Sequence, residues 1–210
     1  MDEEIAMQYF SYGEKEIARL AAEDPVLGAA MDRLGRPDRV IFPDLFSALI
    51  RSVVGQQIST KAADTVWNRM QDALGNDITP DVIALAGADE IQQCGMSKRK
   101  AGYICGIADA VAAKKVDIST FRKKSDEEII KELTVLPGVG VWTAEMMLLL
   151  SMERPDVLSW NDLGIRRGIM RLYDMPSLSK SEFEILRNRY SPHGSVASIY
   201  LWEIAHTDCW

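Results

Sequence analysis

The chain has 210 residues, of which 47% are hydrophobic and 26% charged, and a formal net charge of −7. This is an ordinary globular composition, long enough for one large domain or two small lobes sharing a core. The acidic total weighs against nucleic acid as a partner, because phosphate is usually met by a basic surface, although binding depends on the local patch more than on the sum.

Along the chain, apolar residues recur at three- and four-residue spacing and period-two alternation is scarce, which predicts helices almost throughout. Pro43-Asp44 opens a helix with Leu45, Leu49, Ile50, Val53 and Val54 on one face. Ser59 opens the next, with Ala62, Ala63, Val66, Trp67 and Met70, which ends at Gly75-Asn76. Thr79-Pro80-Asp81 starts a short helix, and Ser97 N-caps a run over 98–114. Ser125-Asp126-Glu127-Glu128 is a capping box that opens a helix toward Val135. That helix runs into Leu136-Pro137-Gly138-Val139-Gly140, and another starts at once with Val141-Trp142-Thr143-Ala144. After a loop containing Pro155, Trp160-Asn161-Asp162 leads into a helix bearing Ile169, Leu172 and Tyr173. A helix over 179–189 follows Pro176, and Ser191-Pro192 breaks the chain before the last one, with Val196, Ile199, Tyr200 and Ile204. The pattern predicts an all-α fold of about ten helices.

Met1-Asp2-Glu3-Glu4 is acidic where a secretory signal would be basic, and the apolar run 144–151 is interrupted by Glu145 and too short for a bilayer. The expectation is a soluble intracellular protein without a membrane partner. Three cysteines, Cys94, Cys105 and Cys209, are odd in number and widely spaced, and there are two histidines. They match neither a disulfide framework nor a zinc or iron–sulfur motif, and read as reduced thiols.

The segment over 125–150 carries the most information. Pro137 stops the first helix, and Gly138 and Gly140 permit positive φ and close approach of a phosphate. The amides of Val139, Gly140 and Val141 would then face outward at a helix N-terminus, a site for an anion that needs no lysine. By itself the turn fits an ordinary tight helix connection equally well, and Asp162 by itself reads as an N-cap.

Together, the hairpin, the following helix of about ten residues (roughly 15 Å), the Pro155 loop and Asp162 resemble the helix-hairpin-helix–Gly/Pro–Asp superfamily of DNA glycosylases. The resemblance runs from about Ile41 to the end. Phe46 through Ser59, with Gly55-Gln56-Gln57-Ile58, resembles the family's early helix and minor-groove loop. Gly95-Met96-Ser97-Lys98-Arg99-Lys100-Ala101 resembles the turn before the hairpin, and Ser191-Pro192 through Trp202 the last helix of the 3-methyladenine DNA glycosylase II branch. The residues before Ile41 match nothing specific.

By this resemblance Asp162 is the catalytic aspartate. Trp142 stands where members that also cut the DNA backbone carry a nucleophilic lysine, and the cysteines of the iron–sulfur-bearing members have no counterpart. Both point to a monofunctional enzyme of the alkylated-base branch, excising 3-methyl or 7-methyl purines from double-stranded DNA without a catalytic cofactor. Trp142, Met146, Trp160 and Trp202 are implied in the base pocket, Met146 replacing a tyrosine of some relatives. Each tryptophan fits core packing as well. Gln56 and Gln57 would probe or fill the gap left by the flipped base, or form a plain polar turn.

Gly138, Val139, Gly140, Val141, Ser97, Lys98 and Arg99 are the expected DNA contacts, with Lys100, Arg166 and Arg167 as further basic candidates. The resemblance also implies a Na or K ion on the carbonyls of Thr134, Leu136 and Val139. The expected organisation is a helical barrel lobe over 36–151 and a second lobe from 1–35 plus 152–210, with Asp162 in the cleft. A monomer in the cytoplasm, nucleoid-associated in a bacterium or nuclear in a eukaryote, completes the expectation. The alternatives are a glycosylase for deaminated or otherwise damaged bases and a non-catalytic helix-hairpin-helix DNA-binding protein.

Overall fold

The computed structural model describes residues 7–207; Met1-Asp2-Glu3-Glu4 and Cys209 lie outside them. Among the described residues the chain forms eleven α-helices: α1 (Glu14–Glu23), α2 (Pro25–Leu34), α3 (Leu45–Gly55), α4 (Thr60–Ala73), α5 (Pro80–Gln93), α6 (Lys98–Ala112), α7 (Asp126–Leu133), α8 (Val141–Leu150), α9 (Leu163–Leu172), α10 (Lys180–Tyr190) and α11 (Gly194–His206). A 3-10 helix spans Ile118–Lys123. The chain is mostly helical, as expected. A small antiparallel ribbon pairs β1 (Gln8–Tyr9) with β2 (Val40–Ile41), a stretch too short to show alternation in sequence. No helix among the described residues is long and apolar enough to cross a membrane.

The helix starts follow local chemistry. Ser59, Thr79, Ser97, Ser125 and Ser179 each accept an amide of the first turn, and Ser125 and Ser179 form reciprocal boxes with Glu128 and Glu182. The short helix expected at Thr79 extends to Gln93, but Gly87 at φ 73° kinks it into two pieces.

The chain divides into two compact units. One gathers the described residues up to Ile41 with those from Leu148 onward; the other is Phe42–Met147. Residues 36 and 151 were the limits expected from sequence.

In the first unit, the N-terminal segment is tied to the C-terminal helices by the buried Asp24. Its Oδ1 accepts the amides of Val26 and Leu27, capping α2, while Oδ2 accepts Tyr173 Oη and, at 2.9 Å, Arg189 Nη1. Helices α9 and α11 pack backbone to backbone at Gly168, where a Cβ would lie 2.1 Å from the Leu201 carbonyl oxygen.

The second unit is built around α3 and α6, which bury Phe46, Leu49, Ile50 and Val53 with Ile104, Ile107 and Ala108. Helix α8 begins in this unit and is apolar on nearly every side, as its burial requires.

Candidate active site

Asp162 is the N-cap of α9, so the plain structural reading of this residue holds: Oδ1 accepts the Ile165 amide at 2.9 Å. The same oxygen accepts Trp202 Nε1 from α11 at 3.0 Å, and the side chain is only 7% exposed. An ordinary surface cap has neither this burial nor a second, long-range donor. The two bonds fix the carboxylate in one rotamer at a helix N-terminus, where the macrodipole favours negative charge. Gly164 makes the approach possible, since a Cβ there would meet Trp202 Cδ1 at 2.9 Å and Asp162 Oδ1 at 3.1 Å.

Trp202 is buried, with Arg39 lying over its indole, Cζ 4.2 Å from the ring centroid. Burial pulls the Arg39 guanidinium below its ordinary pKa, and the carboxylates of Glu203 and Asp162 push it back up. Arg39 belongs to the segment that matched nothing in sequence, and no local signal marks it. Trp160 packs edge-on against Phe183, ring centroids 5.3 Å apart at 72°, with Arg166 at 5.0 Å from its own centroid. Arg166 is therefore stacked inside this unit, its Nε buried without a hydrogen-bond partner, whereas Arg167 is exposed.

In the other unit, α7 ends at Thr134 and the turn is closed by Leu136 N–H to Leu133 O at 3.0 Å and Val139 N–H to Leu136 O at 3.2 Å. The Val139 amide, expected to face an anion, is thus engaged within the turn. Only Gly138 uses positive φ (76°); a Cβ there would overlap Tyr103 Cδ2 at 2.3 Å. Gly140 does not take positive φ, and a Cβ on it would meet open space. Among the described residues, packing does not demand a glycine at 140.

The two glutamines diverge. Gln56 Nε2 donates to the Gly138 carbonyl at 2.9 Å and to Thr143 Oγ1 at 3.4 Å, binding the loop to the hairpin. Gln57 is exposed and held at φ 58°. Lys100 Nζ donates to the carbonyls of Val54 at 2.8 Å and Gln56 at 2.5 Å, so its ammonium caps α3, and desolvation lowers its pKa. It is not a free phosphate contact, in contrast to the exposed Lys98 and Arg99 beside the N-cap Ser97. A recess of about 200 Å³ opens here, lined among others by Gln57, Ile58, Val66, Met96 and Arg99. Trp142, 37% exposed, and the buried Met146 lie one turn apart on the same face of α8.

Cys94 and Cys105 are free thiols whose pKa values burial pushes up, as suits unreactive cysteines. Among the described residues no three His, Cys, Asp or Glu side chains gather as a metal site. The hairpin offers neutral main-chain oxygens instead, a donor set suited to a monovalent cation, and Leu136 O already accepts one hydrogen bond.

Known proteins resemble this chain in sequence and fold. Residues 50–192 match the family model of the HhH-GPD superfamily base excision DNA repair protein. DNA-3-methyladenine glycosylase 1 of Schizosaccharomyces pombe is 32% identical over 162 residues, covering 75% of this chain and 71% of that protein. The crystal structure of a DNA-3-methyladenine glycosidase from Bacillus halodurans superposes with a TM-score of 0.84 at 32% identity, over 96% of this chain and 94% of that one. A fission-yeast 3-methyladenine DNA glycosylase in complex with abasic DNA gives a TM-score of 0.80 at 30% identity, over 90% and 95%.

Proposed function

The chain belongs to the HhH-GPD superfamily of base excision DNA repair proteins, and we propose that it hydrolyses the N-glycosidic bond of alkylated purines in double-stranded DNA. The observation that carries this reading is Asp162: a buried N-cap carboxylate held by a second donor, Trp202 Nε1, from another helix. The names of its relatives support the alkylated-base class.

The chemistry follows from charge. A purine alkylated at N3 or N7 is cationic, so it leaves with the C1′–N bonding pair as a neutral base and needs little protonation. The sugar left behind develops oxocarbenium character, which a preorganised carboxylate stabilises. Water adds its oxygen to C1′ and gives up its proton, leaving an abasic site. Asp162 supplies the negative charge and orients the water. Trp142 follows the hairpin where a Schiff-base mechanism would need an amine, which supports hydrolysis without strand cleavage.

The base has to leave the stack before it can react. The hairpin would hold the backbone through Gly140 and Val141, with Lys98 and Arg99 adding charge, while Gln57 enters the gap. Thr134, Leu136 and Val139 would hold a Na or K ion on their carbonyls, adding positive charge beside a phosphate. The protein would act as a monomer.

Methylated duplex DNA incubated with the wild type and with Asp162→Asn tests the reading by the free bases released. The wild type should release 3-methyl or 7-methyl purines and the variant little. No release by the wild type would sink the function, and equal release by both would remove Asp162 from its role. Release of deaminated bases instead would favour the other lesion class.

A further inference from the structure

Asp162 owes its second donor to residues that lie outside the family-matched stretch 50–192. Trp202 stands on α11, and Arg39 stands just before β2, its carbonyl accepting the Phe10 amide at 2.8 Å from the end of β1. The ribbon Gln8–Tyr9 with Val40–Ile41 therefore presents Arg39 to the Trp202 ring at a fixed place. On one side of the indole lies the guanidinium, 4.2 Å from the ring centroid; at its edge are Gly164 and the Asp162 oxygen. The guanidinium covers one face of the indole, and at its edge Nε1 is aimed at Oδ1.

We infer that Arg39 is a positioning residue for the reaction: by stacking on Trp202 it holds the indole N–H on Asp162, so the N-terminal segment helps build the active site. The carboxylates of Glu203 and Asp162 act in turn on the Arg39 guanidinium, each favouring its charged form. Arg39 touches neither base nor sugar in this scheme; it acts through Trp202.

The inference rests on Asp162 being the catalytic carboxylate, and two measurements separate its fate from that reading. In the first, single-turnover release from methylated duplex is compared with the affinity for a duplex bearing a tetrahydrofuran abasic analogue. Arg39→Met should slow release about 10-fold or more, as loss of carboxylate positioning does, with affinity and Tm near wild type. Arg39→Lys, which keeps a cation over the ring, should come back to within about three-fold. A variant rate equal to wild type, or a loss of rate matched by a loss of affinity or Tm, overturns the inference while leaving Asp162 in place. The second needs no activity. The Trp202 indole N–H, identified by its absence in Trp202→Phe, should exchange with solvent at least about 10-fold faster in Arg39→Met once its hydrogen bond loosens. Unchanged exchange overturns the positioning role even if no alkylated DNA proves to be a substrate.

Discussion

Gln56 and Gly138 are joined across 82 residues of chain by a 2.9 Å hydrogen bond from the glutamine amide to the glycine carbonyl. The bond connects the loop after α3 to the hairpin before α8, so the two elements expected to meet DNA are set in register by one side chain. Lys100 holds the same start of the loop through the Val54 and Gln56 carbonyls. Replacing Gln56 by Ala removes the strut without touching the exposed Gln57. A bond of this kind contributes about 0.5–1.5 kcal/mol, so affinity for a tetrahydrofuran duplex should fall about two- to ten-fold in Gln56→Ala. Gln57→Ala should reduce base release more than affinity, because that residue would fill the gap in the stack. Binding by Gln56→Ala equal to wild type would show that the loop holds its place unaided.

The two hairpin glycines should separate stability from binding. Gly138 sits at φ 76° over Tyr103, so Gly138→Ala adds backbone strain and a steric overlap. The expected cost is about 2–4 kcal/mol, read as a lower denaturant midpoint. Gly140 has neither constraint, and Gly140→Ala should unfold like the wild type. Its duplex affinity should nevertheless drop several-fold, since a methyl group there intrudes where a phosphate approaches. Equal stability of Gly138→Ala and wild type, or unaltered DNA binding by Gly140→Ala, would contradict the respective assignment.

Salt titration distinguishes the basic residues that sequence grouped together. Lys98 and Arg99 are exposed at the start of α6, whereas the Lys100 ammonium is engaged by two carbonyls. Each phosphate contact contributes about 0.9 to the slope of log K against log salt. Lys98→Ala and Arg99→Ala should each flatten that slope by up to this amount. Lys100→Ala should leave the slope unchanged and lower the melting temperature. A flattened slope in Lys100→Ala would return it to the phosphate-binding group.

What was legible in sequence was what is local. Ser59, Ser97 and Ser125 cap helices through atoms three residues away, and the hairpin with Asp162 is a pattern of fixed spacing. The supports of the site act across the chain and leave no periodic trace. Arg39 reaches Trp202, Gln56 reaches Gly138, and Gly168 makes room for Leu201. Gly138 and Gly140 look alike in sequence, yet one serves the chain's own packing and the other faces open space. Asp24 caps α2 through one oxygen, and nothing local marks its second oxygen as the anchor for Tyr173 and Arg189.

That anchor makes the fold sensitive to acid. Burial pushes the Asp24 carboxyl up, but hydrogen bonds from Tyr173, the Leu27 amide and Arg189 outweigh it and hold the folded pKa below its ordinary value. A carboxyl depressed on folding contributes stability that is fully present above its unfolded pKa, about 3.9, and lost as pH falls through the folded value. Wild-type stability should therefore decline as pH drops below about 4, with Asp24 one of the groups responsible. Asp24→Asn removes the charge at every pH. At pH 7 it should destabilise by about 2–4 kcal/mol, less than a fully buried pair because Arg189, 39% exposed, regains water. Its curve of unfolding free energy against pH should be flatter than the wild type's on the acid side, so the two converge as pH falls. Urea titrations from pH 7 downward measure both curves. Parallel curves, separated by a constant amount through the acid range, would show that Asp24 is not the titrating anchor.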